Sequence, residues 1–526
     1  MRKHFNTAGP NITELHYQIE PLVRIDLASV LDLIAQQRYF VLHAPRQTGK
    51  TTCLLALRDF LNSQSDYAAL YVNIEGAQAA RGDVAAGVRA MIAAIGSQAR
   101  KLFDLHEFDS AIPGILAARG PQAALTEVLG RLSEALARPL VLFLDEVDAL
   151  VGDTLISLLR QIRAGYTDRP KNFPQTIVLC GVRDVRDYRM KMADGEVITG
   201  GSAFNIKAES LRLGDFSRAE MTALYQQHTD ATGQLFSAEA LELAWLSTQG
   251  QPWLANALAE QAVWKTKANL DRTITIDLPR MHAAREALIL RNDTHLDQLS
   301  DKLREPRVRA VIEPMLIGAE LQATDADLQY VLDLGLVRRS LASKSIAPAN
   351  QIYAEVLPRV LNNTVQVSLH EDRILASWQT AAGRLNPRQF LLNFLAFWRE
   401  HGEAMLKSVP YHEAAPHLVL MAYLQRVVNG GGRIEREYAA GSGRLDLLVV
   451  VAEQQMAIEV KVWRTGRKDP LIEGLQQMQR YLQRLNVAQG YLVIFDQRAD
   501  AAIWDERMHT RDAQTADGKA VMVLRA

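Results

Sequence analysis

Ala44-Pro45-Arg46-Gln47-Thr48-Gly49-Lys50-Thr51 has the spacing GxxxxGK[ST] of a loop that holds phosphate, with alanine where the first glycine usually stands. A triphosphate needs several backbone N–H groups aimed at one concavity, and Gly49 lets the backbone approach without a Cβ in the way. Lys50 brings a point charge to the terminal phosphate oxygens and Thr51 a hydroxyl to Mg²⁺. Thr52 continues into a helix whose N-terminal end is positive. A second chemical run is PLVLFLDEVDAL, residues 139–150, an apolar strand that ends in two acids. Asp145 can hold Mg²⁺ through water, and Glu146 can orient or deprotonate the water that attacks a γ-phosphate. A third is TIVLCGVRDV, residues 176–185, after which Arg183 or Arg186 can neutralise charge in a transition state.

The other concentration of chemistry-bearing residues is REYAAGSGRLDLLVVVAEQQMAIEVKVWR, residues 436–464. It reads as two apolar strands joined by a polar turn, with Asp446 on the first and Glu459 and Lys461 on the second. Residues two apart on a strand share a face, so Glu459 and Lys461 point the same way. A turn centred near Glu453 and Gln454 would set Asp446 opposite Lys461 and diagonal to Glu459. Two carboxylates and a lysine buried together are costly unless they coordinate something, and the natural guest is a hard divalent cation.

These residues need a frame. Phe40, Val41 and Leu42 form a short strand into the loop, and Leu54, Leu57 and Leu61 recur at helical spacing after it. Leu27, Val30, Leu31 and Ile34 mark a preceding helix, residues 67–75 another strand, and the region up to about 138 is helical. Alternating strands and helices predict an α/β fold, a doubly wound parallel sheet over residues 1–205. From about 206 the strand signals fade, and residues 216–228, 237–249 and 252–265 predict a helical lid over 206–300. Pro252 opens the last of these helices, where it either packs on an adenine ring or simply fills the first turn.

Residues 301–362 read as two helices and a short two-stranded wing that includes the IYAEVLPRVL stretch, a winged-helix-like module. Such modules bind DNA in some proteins and only pack or regulate in others, and no dense basic stripe marks this one. Residues 363–410, with LLNFLAFW, predict a helical connector or dimer surface, and 411–526 a second α/β domain.

The order of the phosphate loop, LFLDE, GVRD, GQPW, DLGLV and IYAEVLPR resembles the AAA-like P-loop NTPases of the STAND group, in a bacterial family that begins with an FNTAGP and HY segment. The resemblance covers most of residues 5–362. It implies a nucleotide-driven switch that binds ATP and Mg²⁺, with Pro252 as the adenine-side contact. The C-terminal constellation resembles the PD-(D/E)XK nuclease superfamily. That likeness implies Asp446 and Glu459 as ligands of Mg²⁺ or Mn²⁺ and Lys461 as the residue that positions water or stabilises the pentavalent phosphate. Glu413 begins a helical run where that superfamily often supplies a further acid, Arg444 belongs to its GR-x-D approach, and Gln477 and Tyr481 give its QxxxY helix motif.

Together the two resemblances imply an ATP-controlled DNA endonuclease of repair or anti-phage defence. The alternatives are a regulatory ATPase whose nuclease fold binds DNA or protein without cleaving, or one that cleaves RNA. A homo-oligomer is compatible with either.

Composition constrains the partners. With 48% hydrophobic and 23% charged residues the chain is an ordinary globular one, and its net charge of −1 excludes binding nucleic acid by total charge. Any such role rests on local clusters, here Arg433, Arg436, Arg444, Lys461, Arg464, Arg467 and Lys468, with Trp463 as the one aromatic available for stacking. Two cysteines, Cys53 and Cys180, exclude a disulfide framework and a cysteine zinc site. No apolar run approaches the roughly 20 residues of a membrane span, and the start lacks the apolar core of a signal peptide, so the expectation is cytoplasmic.

Overall fold

The computed structural model describes residues 3–183, 189–191, 197–199, 206–290, 301–317, 321, 323–339, 346–357, 385–408, 416, 419–421, 423–424, 432–438, 445–451, 454–498, 500–501, 503–504 and 506–526. Arg186, Glu413 and Arg444 lie outside them, and of Arg433, Arg436 and Asp446 only the backbone is described. The chain divides into two compact units, Met1–Arg291 with Leu332–Leu336, and Asn292–Val331 with Val337–Ala526.

The first unit is built on a parallel sheet. After α1 (Leu27–Ala35) come β1 (Tyr39–His43), α2 (Lys50–Ser63), β2 (Ala68–Asn73), α3 (Val84–Phe103), α4 (His106–Arg119), α5 (Ala124–Ala135), β3 (Leu140–Asp145), α6 (Gly152–Ala164) and β4 (Thr176–Gly181). Strands β1, β3 and β4 are buried along their whole length, as expected of apolar runs covered on both faces. One face packs Val41, Leu142 and Ile177 against α3, α5 and α6. The other packs Phe40, Val141 and Val178 against α1 and α2. Burying each such side chain contributes roughly 1.5–3 kcal/mol.

A short hairpin of β5 (Arg189–Lys191) and β6 (Val197–Thr199) precedes β7 (Lys207–Arg212), which completes the sheet in the order β2-β3-β4-β1-β7. The strand signal therefore continues past residue 206, contrary to the expectation from sequence. As an edge strand β7 carries Lys207, Glu209 and Arg212 and has no apolar run to betray it, although it runs parallel to β1 with Leu42 opposite Leu211.

Three of the helices that follow are those the sequence predicts, α7 (Arg218–Thr232), α8 (Ala238–Thr248) and α9 (Pro252–Glu260), and α10 (Leu278–Leu290), which was not singled out, comes after them. Ser217 and Glu220 form a reciprocal cap at the start of α7. Gly250 bends the chain into α9 with φ of 76°, and a Cβ there would lie 2.0 Å from the Phe216 carbonyl oxygen. The N-terminal segment packs back on α7, where Phe5 and Tyr17 meet Tyr225 and His228 with ring centroids 5.6 and 5.7 Å apart.

In the second unit α11 (Pro306–Ile317) and α12 (Asp325–Asp333) lead to an antiparallel hairpin of β8 (Val337–Arg339) and β9 (Ile346–Pro348). Residues 351–357, the start of IYAEVLPRVL, form a helix, α13, rather than part of a wing. Ile352, Tyr353, Val356 and Leu357 are buried, and their spacing of one, three and four is helical.

The main sheet of this unit comprises β10 (Gly432–Tyr438), β11 (Leu445–Val451), β12 (Gln454–Trp463), β13 (Gln489–Asp496), β14 (His509–Gln514) and β15 (Ala520–Arg525), in the order β10-β11-β12-β13-β15-β14. Before it runs α14 (Pro387–Ser408), and between β12 and β13 lies α15 (Leu471–Leu485). Phe390, Leu391, Phe394 and Trp398 of α14 are buried against Leu447, Ile458 and Phe495. The expected connector or dimer surface is thus core. Its nearly continuous apolar run is needed because α14 covers one face of the sheet, while Met478, Tyr481 and Leu482 of α15 cover Leu448, Ala457 and Leu492 on the other. No helix among the described residues is long and apolar enough to cross a membrane.

Candidate nucleotide site and the acidic strand pair

In the sheet order, β4 lies between β3 and β1, so the loop after β1, Asp145 at the end of β3 and Arg183 just beyond β4 open from the same carboxyl edge. That edge is where open parallel sheets bind ligands. The loop takes its shape from two left-handed residues, Gln47 with φ of 58° and Gly49 with φ of 91°. Ala44 is not one of them; its methyl group is buried in the apolar cluster beneath α2, which is why this position tolerates a side chain. Lys50 Nζ is buried and donates to the carbonyls of Ala44 and Pro45, both at 2.9 Å. Thr48 Oγ1 closes the loop on Pro45 O at 2.8 Å.

Asp145 is wholly buried and accepts from three donors: Thr51 Oγ1 at 2.7 Å, the Tyr71 hydroxyl at 2.8 Å and the Glu146 amide at 2.9 Å. The predicted partners Thr51 and Asp145 are therefore joined directly. Burial, with the Asp145 carboxylate beside it, pushes the Tyr71 phenol up, so Tyr71 stays a donor to that carboxylate at any ordinary pH.

Glu146 adopts a left-handed backbone with φ of 61°. Its carboxyl is pushed up, chiefly by burial and then by Asp145, against the opposing pull of Lys50. A raised carboxyl contributes stability that is complete below the ordinary glutamate range near about 4.3 and lost as pH climbs through the raised value. Glu146→Gln is therefore expected to be more stable than the natural chain at pH 7, with the two converging below about pH 4 in thermal melts across pH.

Three residues of this site were not singled out from the sequence. Arg24 donates to the carbonyls of Thr48 at 2.6 Å and Gly214 at 2.7 Å, and its guanidinium lies 4.7 Å from the centre of the Phe216 ring. Asp148 Oδ2 accepts from the Val182 amide at 2.6 Å, tying the turn after β3 to the end of β4. Asn11 donates its amide to Thr52 Oγ1 at 3.2 Å, bringing the N-terminal strap onto the start of α2. Asp148 follows Asp145 by three and is the one with a local signal; the other two are long-range contacts.

A Cβ on residue 49 would stand 2.6 Å from Arg24 Nη1 and would carry the left-handed φ as well. Gly49→Ala is expected to cost about 1–3 kcal/mol, read as a fall in melting temperature. Pro252 lies at the first turn of α9 and lines a cavity together with Gly9, Gly49 and Thr52. Another cavity, of about 1180 Å³, lies along α5 and α6 beside Glu127 and Arg160 and contains none of the loop residues.

Residues 34–188 match the family model of the AAA domain. They form a P-loop ATPase domain. This ATPase domain contains the loop, Asp145, Glu146 and Arg183, whereas the strap, helices α7 to α10 and the whole second unit lie outside the match. Among solved structures the chain is similar to a Walker-type ATPase of Pyrococcus abyssi, with 15% identity and a TM-score of 0.45 over 67% of this chain and 99% of that one. It is also similar to Cdc6p from Pyrobaculum aerophilum, at 12% and 0.34 over 66% and 94%. The Thermotoga maritima RuvB Holliday junction branch migration motor matches at 14% and 0.32 over 63% and 92%. No curated protein matches the chain.

In the second unit the strand pair is antiparallel as expected, but its register differs. The pairs run from Val451 with Gln454 to Asp446 with Glu459, so Asp446 pairs with Glu459 and not with Lys461. A shift of two leaves the face unchanged, and register position 446 shares the α15 side of the sheet with Leu448 and Val450. Glu459 is 0% exposed, and neither carboxylate oxygen has a hydrogen bond among the described residues. Lys461 Nζ stands 2.9 Å from Glu459 Oε1 as an ion pair.

Helix α15 adds two polar groups here. Lys461 Nζ is 3.8 Å from Glu473 Oε1, which accepts from Gln477 Nε2 at 2.7 Å. Glu473 went unnoticed in the sequence although it precedes Gln477 by one helical turn. Tyr481, one turn further on, is buried in the apolar layer. Trp463 is occupied by guanidinium groups, Arg498 at 3.4 Å and Arg525 at 5.0 Å from the ring centre, and does not present the open face expected for base stacking. No group of three potential metal ligands occurs among the described residues, which exclude the side chain of Asp446 and all of Glu413.

Proposed function

We propose that the chain is an ATP-driven switch governing a metal-dependent phosphodiesterase that cuts DNA. The observation that carries the first half is the 2.7 Å bond between Thr51 and Asp145, which brings a hydroxyl and a carboxylate from separate motifs to one point beside Lys50. Two hard oxygen donors beside a phosphate-binding loop fit Mg²⁺, which prefers few protein ligands and keeps its waters. When bound, the ion neutralises charge on the phosphate oxygens. In this assignment Lys50 holds the terminal phosphates, Glu146 orients the attacking water, Arg183 faces developing charge and Pro252 packs on the base. Glu146→Gln is expected to slow hydrolysis by about 10²-fold or more while nucleotide binding persists, measured by phosphate release alongside equilibrium titration.

The second half rests on Glu459. A wholly buried carboxylate with an ion pair to Lys461 and no hydrogen bond among the described residues is unfavourable as a purely structural element. A divalent cation shared with the residue paired across the strand, Asp446, resolves that cost. Mg²⁺ or Mn²⁺ supplies Lewis acidity at the phosphodiester, and Lys461 adds positive charge for the phosphate. Arg464, Arg467 and Lys468 lie in the turn that follows β12 and fit a backbone contact that reads shape rather than sequence. Control of this site by the nucleotide is inferred from both lying in one chain. Incubation of the full chain with plasmid, branched DNA and RNA, with Mg²⁺ or Mn²⁺ and with or without ATP, tests it. Cleavage of DNA that responds to ATP supports the proposal, whereas binding without cleavage, or cleavage of RNA alone, replaces it with the corresponding alternative.

A further inference from the structure

The cavity beside the phosphate loop is walled by Thr7 and Gly9 of the strap, Gly49 and Thr52 of the loop, and Pro252 and Asn256 of α9. Most polar side chains in this wall are committed. Thr52 Oγ1 accepts from Asn11, Trp253 Nε1 donates to Thr7 O at 2.9 Å, and Asn6 Nδ2 donates to Gly9 O at 3.1 Å and Asn11 Oδ1 at 2.8 Å. Asn256 is the exception. Its Nδ2 donates to Pro252 O at 2.8 Å, while its Oδ1 is buried without a hydrogen-bond partner among the described residues. A backbone carbonyl accepts only, so Pro252 O fixes which end of the carboxamide is nitrogen and leaves the oxygen as an acceptor in need of a donor.

We infer that Asn256 selects the base of the bound nucleotide: its Oδ1 accepts a hydrogen bond from the 6-amino group of adenine. Guanine carries an oxygen at that position, and two acceptors would then face each other in a dry wall. The side chain sits one turn beyond Pro252, so the proline that packs on the base and the amide that reads its edge belong to one helix. The inference rests on the nucleotide-site reading above and adds the residue that discriminates among purines.

A buried acceptor left unpaired weakens binding by about tenfold or more. The test is competition of ATP, GTP and purine riboside triphosphate, which lacks the 6-amino group, against a fluorescent ATP analogue on the full chain with Mg²⁺. In the natural protein ATP is expected to bind about tenfold tighter than the deaminated analogue. In Asn256→Leu, checked for folding by its melting curve, the two are expected to bind within about twofold of each other, through loss of ATP affinity. Equal binding of ATP and the analogue to the natural protein overturns the inference without reference to any variant, as does a full preference retained in Asn256→Leu. Failure of all three nucleotides to bind the natural protein would instead overturn the nucleotide-site reading itself.

Discussion

Lys50→Ala is expected to lower ATP affinity by about 100-fold, because it removes a buried ammonium whose charged hydrogen bonds to phosphate contribute roughly 1.5–3 kcal/mol each. In the structure that ammonium is held by Ala44 O and Pro45 O, two neutral acceptors that a phosphate oxygen outcompetes by charge. The effect is visible in thermal stability. At ATP about 100 times the natural Kd, binding stabilises the fold by about 2.7 kcal/mol, and a 100-fold weaker site gains only about 0.4 kcal/mol. The melting temperature is therefore expected to rise by roughly 5 °C in the natural chain and by about 1 °C in the variant. Equal ATP-dependent shifts would remove Lys50 from the site.

Glu459→Gln is expected to abolish metal-dependent cleavage, with a loss of about 10³-fold corresponding to several kcal/mol of charge stabilisation at the phosphodiester. The substitution preserves shape and removes one charge, so it separates ligand chemistry from packing. It also leaves Lys461, with a side chain only 9% exposed, without its 2.9 Å partner. Glu473 at 3.8 Å compensates the buried ammonium less well, and the variant is expected to be less stable in metal-free buffer despite losing a desolvated carboxylate. The second readout is the metal itself: Mg²⁺ or Mn²⁺ raises the melting temperature of the natural chain and leaves that of Glu459→Gln unchanged. A metal-dependent shift preserved in the variant would place the ion elsewhere.

The parts of the fold that were legible in the sequence are those whose burial is continuous. Strands β1, β3 and β4 are apolar runs because both faces are covered, and the loop and the Asp145–Glu146 pair follow them directly. Helices α7 and α9 announce themselves by caps such as Ser217 with Glu220 and by Pro252 at a first turn. What was illegible depends on contacts far apart in the chain. Strand β7 is half solvated and charged, and only its pairing with β1 reveals it. Arg24 reaches Thr48 across 24 residues, and Phe5 and Tyr17 find α7 more than 200 residues later.

Register and helix face mark the same boundary in the second unit. Register positions 446, 459 and 461 share one face, as alternation predicts, because a two-residue slip preserves parity. It did not fix which residue faces which, since that depends on where the polar turn closes. The run in α14 was apolar enough to suggest an interface, and burial against the sheet accounts for it within one chain.

Control of a nuclease by the nucleotide is tested most directly by cleavage of plasmid DNA by the full chain in Mg²⁺, measured for the natural protein, Lys50→Ala and Glu459→Gln, each with and without ATP. Cleavage is expected to change with ATP in the natural protein, to be indifferent to ATP in Lys50→Ala, and to be absent in Glu459→Gln. Cleavage by Glu459→Gln at the natural rate, or an identical response to ATP in Lys50→Ala, would contradict such control.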